Sequence, residues 1–290
     1  MRFYVGVGHR GSPREFLAIA RHAEQLGLHG ITFGDHVGMA PAPVSPYPSG
    51  NGRRSFAIDT PWPDVWVLSS ALAAVTTRLH FLSTVYLLPL RHPLLTAKAV
   101  ATAALIAGDR IELGVGVGWQ REEFEALGVD FTSRGRRTDE TIELLRALWR
   151  PGPTEHHGEF FEFGQLVTEP ALERPVPIYV GGSSDAAMRR AARLGDGFIT
   201  MPATLTALAE LIPRLRDLVA ERGRDAEAFQ ILANNVDART AEDYARLAEL
   251  GATVALVRPT NFGCNDGSSD IRSALEDFAE RVVVPLSATS

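Results

Sequence analysis

Cysteine occurs once, at Cys264, which excludes an internal disulfide and fits a reducing compartment. Positive charge is scarce. The 29 Lys and Arg residues against 35 Asp and Glu leave a formal charge of -6 at pH 7, with no basic footprint for nucleic acid or an anionic membrane. Lysine is scarcer still: Lys98 stands alone, inside a stretch that reads as helix rather than at a strand end, where a Schiff-base lysine belongs. No apolar run approaches the roughly 18 residues that cross a bilayer. The N-terminal "MRFYVGVGHRGSP" is broken by Gly, His and Arg too soon for a secretory leader. The expectation is a cytoplasmic protein without membrane or nucleic-acid partners.

Several catalytic motifs are also missing. There is no HxH or HExxH, and the adjacent His156 and His157 point apart in any extended chain, so no metal centre is expected. The GxSxG of a serine nucleophile elbow is absent. "GVGVG" at 114–118 lacks the GxGxxG spacing of a dinucleotide site and is followed by "WQREEF" instead of a phosphate-capping helix start. A close-packed strand end accounts for Gly116 and Gly118; the same glycines would also let a flat ring approach the backbone.

What the sequence does have is a rhythm. Short apolar runs such as "RFYVGVG", "HGITFGDH", "LHFLSTVY", "RIELGVGVG", "VPIYVGG", "DGFITMP", "FQILANN" and "TVALVRP" each precede an amphipathic stretch. Strand and helix in alternation, with nearly continuous apolar strands, predict a parallel sheet covered by helices. Eight such units in 290 residues fit a (β/α)8 barrel, with a doubly wound open sheet as the alternative. The segment "TEHHGEFFEFGQLVTEPA" breaks the helical period and predicts a small β excursion before the fifth strand. No stretch reads as an interdomain linker, so residues 1–290 are expected to form one domain.

Barrel active sites gather at the carboxyl ends of the strands. Those ends hold His9, Asp35 and His36, residues 83–85, Gly116 to Trp119, residues 181–184, Met201, Asn234 and Arg258. Asp35 and His36 are the leading acid–base candidates, with the carboxylate orienting the imidazole; a capped turn beside a polar loop residue is the plainer reading. The joint Gly181-Gly182-Ser183-Ser184 joins a strand to a helix starting near Asp185. Two glycines can aim successive N–H groups inward, two hydroxyls add donors, and the helix offers its positive end. They would equally serve an ordinary tight turn, and the residues alone leave both readings open.

Three blocks, in order, resemble the luciferase-like monooxygenase superfamily: "STVYLLPLRHPLLTAKAVATA", "RIELGVGVGWQREEFEALGVDFTSRGRRTDETIELLRALW" and "PIYVGGSSDAAMRRAARLGDGF". The resemblance covers nearly the whole chain and implies a (β/α)8 barrel. It implies that Gly181, Gly182 and Ser183 hold the phosphate of a flavin or deazaflavin, although the usual barrel phosphate site follows strands seven and eight. By the same resemblance, "LHFLSTVYLLP" carries a cis peptide at Thr84-Val85 behind the cofactor ring. The form of the central block is similar to branches using coenzyme F420, which implies hydride transfer between F420 and a small organic substrate, with His36 as acid/base aided by Asp35. The alternatives are an FMN-dependent monooxygenase fed by a separate reductase, and a non-catalytic flavin-binding carrier. The sugar-phosphate branch has Glu where this sequence has Trp119, which leaves a sugar phosphate poorly supported. Trp119, Tyr86, Trp62, His9 and Met201 are expected to make an apolar substrate pocket, each with core packing as its plain alternative. Glu122, Glu123, Arg134, Arg136 and Arg137 are expected to form ion pairs fixing the long fourth loop. Loop 38–61, rich in proline, is expected to close over the pocket, and the resemblance implies a homodimer.

Overall fold

The structure is a computed structural model that describes residues 1–6, 13–48, 52, 54, 56–262 and 270–288. His9 and Cys264 lie outside the described residues. The strands are β1 (Arg2–Gly6), β2 (Gly30–Phe33), β3 (His80–Ser83), β4 (Tyr86–Leu87), β5 (Ile111–Gly116), β6 (Pro153–His157), β7 (Glu162–Val167), β8 (Ile178–Gly182), β9 (Gly197–Thr200), β10 (Gln230–Ala233) and β11 (Val254–Val257). The helices are α1 (Pro13–Gln25), α2 (Val65–Ala73), α3 (Pro93–Ala107), α4 (Arg121–Ala126), α5 (Arg134–Leu148), α6 (Asp185–Leu194), α7 (Leu205–Ala220), α8 (Ala241–Glu249), α9 (Ile271–Phe278) and α10 (Val284–Ala288).

Eight of the strands close a parallel barrel in the order β1-β2-β3-β5-β8-β9-β10-β11. Closure runs through β1 on β11, where Arg2 pairs with Val254, and through β3 on β5, where Phe81 pairs with Ile111. The expected barrel is therefore present, and the open sheet is not. The excursion is there too, as the antiparallel hairpin of β6 and β7. Two small additions were not anticipated. The two-residue β4 extends β5 through Tyr86 and Val115, and α4 lies within the connector after β5.

The apolar strands are explained by burial on both faces. Alternate residues divide between two cores, as the period of two requires. Tyr4, Leu82, Tyr179, Ile199, Leu232, Val254 and Leu256 pack inside the barrel. Their neighbours Phe3, Val5, Phe81, Ile178, Val180, Ile231, Ala255 and Val257 pack outward against the helices. Each large side chain so buried contributes about 1.5–3 kcal/mol relative to exposure. At the amino end the interior is closed by polar groups. The Tyr4 hydroxyl donates to Glu112 Oε1 at 2.9 Å, and His80 Nδ1 and Arg2 meet the same carboxylate oxygen at 3.2 and 3.6 Å. Burial, followed by the Glu112 charge, pushes the Tyr4 phenol far up and keeps its proton on. With that end filled, the open end of the barrel is the one where the strands' carboxyl termini lie.

Candidate active site at the carboxyl ends of the strands

A cavity of about 870 Å³ opens at those carboxyl ends. Gly181, Gly182, Ser183, Thr84, Val85, Gly116, Gly118, His36, Asp35, Trp62, Trp119 and Met201 all contribute to its wall. Residues separated by up to 166 positions are thus brought to one space, the strand order doing the gathering.

The back wall is built by the end of β3. The Ser83 hydroxyl bridges to β5, donating to Gly114 O at 2.8 Å and accepting from Gly114 N at 2.9 Å. The Thr84-Val85 peptide is cis, and the chain then resumes beside β5 as β4. Val85 projects toward the mouth of the barrel, where a Cβ at Gly116 would run into its side chain and one at Gly181 would sit 2.6 Å from it. The room those two glycines leave is therefore held by Val85, which becomes the surface a ligand would meet.

The joint after β8 lines the cavity where the strand gives way to α6. Gly182 has φ of 151°, and a Cβ there would lie 2.7 Å from that of Ala187. Ser184 caps α6, its hydroxyl accepting from Ala187 N at 3.2 Å and keeping its own O–H to donate. Asp185 does not face the cavity: it pairs with Arg214 of α7 at 2.7 Å on the exposed side. Arg134 and Arg190, neither of them anticipated here, line the same cavity. Arg190 is engaged by Asp139 and by Gly135 O. Arg134 lies 3.9 Å over the Phe131 ring, has no ion pair among the described residues, and keeps a buried Nε without a hydrogen-bond partner. Burial, then the charge of Arg121, lowers its proton affinity, a penalty that a bound anion would relieve.

The acid–base pair differs from expectation. Asp35 does not orient His36; it accepts a two-pronged contact from Arg91 at 2.6 and 2.8 Å and a third bond from Leu87 N at 2.9 Å. A buried carboxylate needs compensation on both oxygens, and the planar guanidinium supplies it better than an adjacent imidazole can. Burial still outweighs Arg91 and holds the Asp35 carboxyl above the usual aspartate range. His36 instead meets Glu123 of α4, Nδ1 to Oε2 at 2.9 Å. Tyr86 is likewise displaced from the predicted pocket. It is buried outside the cavity, with its ring 5.2 Å from Trp66 and 4.3 Å from the Arg91 guanidinium.

Among the described residues Glu122, Glu123, Arg134, Arg136 and Arg137 form no ion pairs with one another. Arg136 pairs with Glu159, and Arg137 donates to Pro89 O at 3.0 Å. The acidic residues of α4 bind loop 38–61 and its approach instead. Glu123 Oε1 accepts from Val37 N at 2.7 Å and Gly38 N at 3.3 Å, and Glu122 accepts from Val44 N at 2.6 Å. Gln120 Nε2 donates to Gly38 O at 2.8 Å. So held, the loop places Tyr47 and Phe56 on the cavity wall. Tyr47 lies 5.2 Å from Trp119, Phe56 lies 5.1 Å from Trp62, and Trp62 lies 4.8 Å from His36, all edge to face. Nothing in the loop's composition singled out these two rings, because the loop has no periodicity to place them.

A family model described as luciferase-like monooxygenase matches residues 2–268. An uncharacterised protein of Mycobacterium tuberculosis is 37% identical over 274 residues, 92% of this chain and 94% of that protein. An FMNH2-dependent dimethylsulfone monooxygenase of Pseudomonas putida is 32% identical over 213 residues, 71% of this chain and 57% of that enzyme. Among solved structures, an F420-dependent secondary alcohol dehydrogenase shares the fold, with a TM-score of 0.77 at 17% identity over 98% of this chain and 99% of that one. The closed barrel, the glycine joint on its mouth and the match over most of the sequence converge: this chain belongs to the luciferase-like monooxygenase family, oxidoreductases that work with a flavin-type cofactor.

Proposed function

We propose that the protein is an F420-dependent oxidoreductase that exchanges a hydride with a small, largely apolar organic molecule, His36 handling the matching proton. The observation that carries this reading is the arrangement of a single cavity. The glycine joint, Arg134 and His36 within its aromatic wall all line that one space. The volume lies near the upper end of the ~300–1,000 Å³ of ordinary ligand pockets, enough for a flat tricyclic ring and a small second molecule.

The residues fit such a cofactor. Gly181, Gly182, Ser183 and Arg134 would hold its phosphate, and Val85 would back its ring. When bound, the deazaflavin supplies a carbon that gives or takes a hydride. Trp62, Trp119, Phe56 and Tyr47 exclude water from the reacting face and favour an apolar substrate. In the oxidative direction the substrate carbon loses a hydride, its hydroxyl loses a proton to His36 Nε2, and a carbonyl forms. In the reductive direction the imidazolium returns that proton to oxygen. The sequence resemblance to deazaflavin-using branches supports F420 over FMN.

The second reading, an FMN-dependent monooxygenase with a partner reductase, is favoured by the 32% identity to the dimethylsulfone enzyme. Fluorescence titration of the apoprotein with F420 and, separately, FMN distinguishes them. Tight binding of F420 with little for FMN is expected, and the reverse preference overturns the F420 reading. Arg134→Ala should weaken the preferred cofactor by about 10- to 100-fold, the range of a charge-assisted bond. His36→Ala should lower turnover by about 10²- to 10⁴-fold while leaving cofactor affinity nearly unchanged.

A further inference from the structure

The carboxylate of Glu123 divides its two oxygens between different tasks. Oε1 accepts from the backbone N–H groups of Val37 and Gly38, and Oε2 faces His36 Nδ1 at 2.9 Å. Both side chains are buried, at 2% exposure for Glu123 and 7% for His36. The backbone amides can only donate, so Oε1 is committed as an acceptor. An ionised carboxylate has no proton to give from Oε2, so Nδ1 must be the donor in that contact. A neutral imidazole that carries its proton on Nδ1 has a bare Nε2. Nε2 has no hydrogen-bond partner among the described residues, and His36 contributes to the cavity wall between Trp62 and Trp119.

We propose that Glu123 is the positioning residue of this site. It fixes His36 as the Nδ1–H tautomer, leaves Nε2 as the proton-accepting atom of the cavity, and through its other oxygen ties that imidazole to the start of loop 38–61. One carboxylate thus couples the protonation geometry of His36 to the placement of the loop that carries Tyr47 and Phe56. The role assigned to Nε2 rests on the proposed function, whereas the tautomer and its control by Glu123 do not.

The substitution that separates these tasks is Glu123→Gln. The glutamine carbonyl can stay on the two backbone amides, which presents its NH2 to His36. Nδ1 must then accept, and the proton moves to Nε2. Long-range ¹H–¹⁵N correlation spectra of apoprotein labelled at histidine report the tautomer directly, with His36→Asn identifying the resonances. The wild type is expected to show Nδ1–H, and E123Q to show Nε2–H with unchanged melting temperature. Gln120→Ala, which loosens the same loop without touching the imidazole, is expected to keep Nδ1–H. An Nε2–H tautomer in the wild type, or an E123Q tautomer identical to the wild type, overturns the proposal. Should E123Q fail to fold, the wild-type spectrum alone decides. Because neither cofactor nor substrate is present, failure of the F420 reading leaves this result standing. In cofactor-loaded protein, E123Q should then lose at least about tenfold in turnover at unchanged cofactor affinity, a split that a merely structural role would not give.

Discussion

Asp35 and His36 are neighbours in sequence that serve different parts of the molecule. The Asp35 carboxylate, with 3% of its side chain exposed, links the end of β2 to β4 through Arg91 and Leu87 N. Removing its charge strands a largely buried guanidinium stacked on Tyr86. Asp35→Asn is therefore expected to destabilise the fold by about 3 kcal/mol or more, the cost of breaking a buried pair. Urea unfolding measures it, and a stability within about 0.5 kcal/mol of wild type would refute the structural assignment. The pairing of Asp35 could not be read from the sequence, since a carboxylate beside an imidazole in the chain is an obvious partner only until Arg91, 56 residues on, arrives in space.

At the scale of elements, the helices were legible because their ends are written in local chemistry. Asp64, Ser184 and Thr240 each precede an apolar period and each cap the helix that follows. At α8 the cap is reciprocal: Thr240 accepts from Asp243 N, and Asp243 accepts from the backbone N–H groups of Thr240 and Arg239. Those two backbone bonds hold the Asp243 carboxyl below the usual aspartate range. A depressed carboxyl stabilises the folded state fully above the unfolded value of about 3.9, and the contribution is lost as pH falls through the lower folded value. Asp243→Asn should accordingly cost about 1 kcal/mol at neutral pH and progressively less as the wild type is acidified below that range. A penalty of the same size at both extremes would contradict the cause given. The short α4 was not legible. Its six residues carry too little periodicity, and its importance lies in what Gln120, Glu122 and Glu123 reach across to.

For the molecule as a whole, α2 and α3 stand out among the barrel's outer helices. Val67 on α2 and Leu95 on α3 are each 71% exposed, and Leu105 and Ile106 of α3 are exposed as well. Other helices of the ring, α6 among them, turn charged residues outward in the ordinary amphipathic way. The homodimer implied by the sequence resemblance would cover such apolar positions. Light scattering on the purified protein should give twice the chain mass, and Leu95→Asp should lower it toward that of one chain without unfolding the barrel. A monomeric wild type would remove the expectation of a dimer. Among the described residues no helix is long and apolar enough to cross a membrane.

The sequence by itself determined the alternation of strand and helix, because the period of its strands and the caps of its helices are local properties, whereas closure into a barrel rather than an open sheet was decided by the pairing of β1 with β11 and of β3 with β5. It also determined the glycine joint at Gly181 and Gly182, since only a residue without Cβ accepts the φ of Gly182. Tertiary structure alone decided who partners whom. His36 turned from Asp35 to Glu123, and Tyr86 left the pocket for the outer core. Arg134 came to line the pocket held by Phe131, with no ion pair among the described residues, while Tyr47 and Phe56 arrived on a loop without periodicity. Hydrogen bonds and charge pairs depend on directions and distances set by the closed strand order, and those do not exist until the barrel has closed.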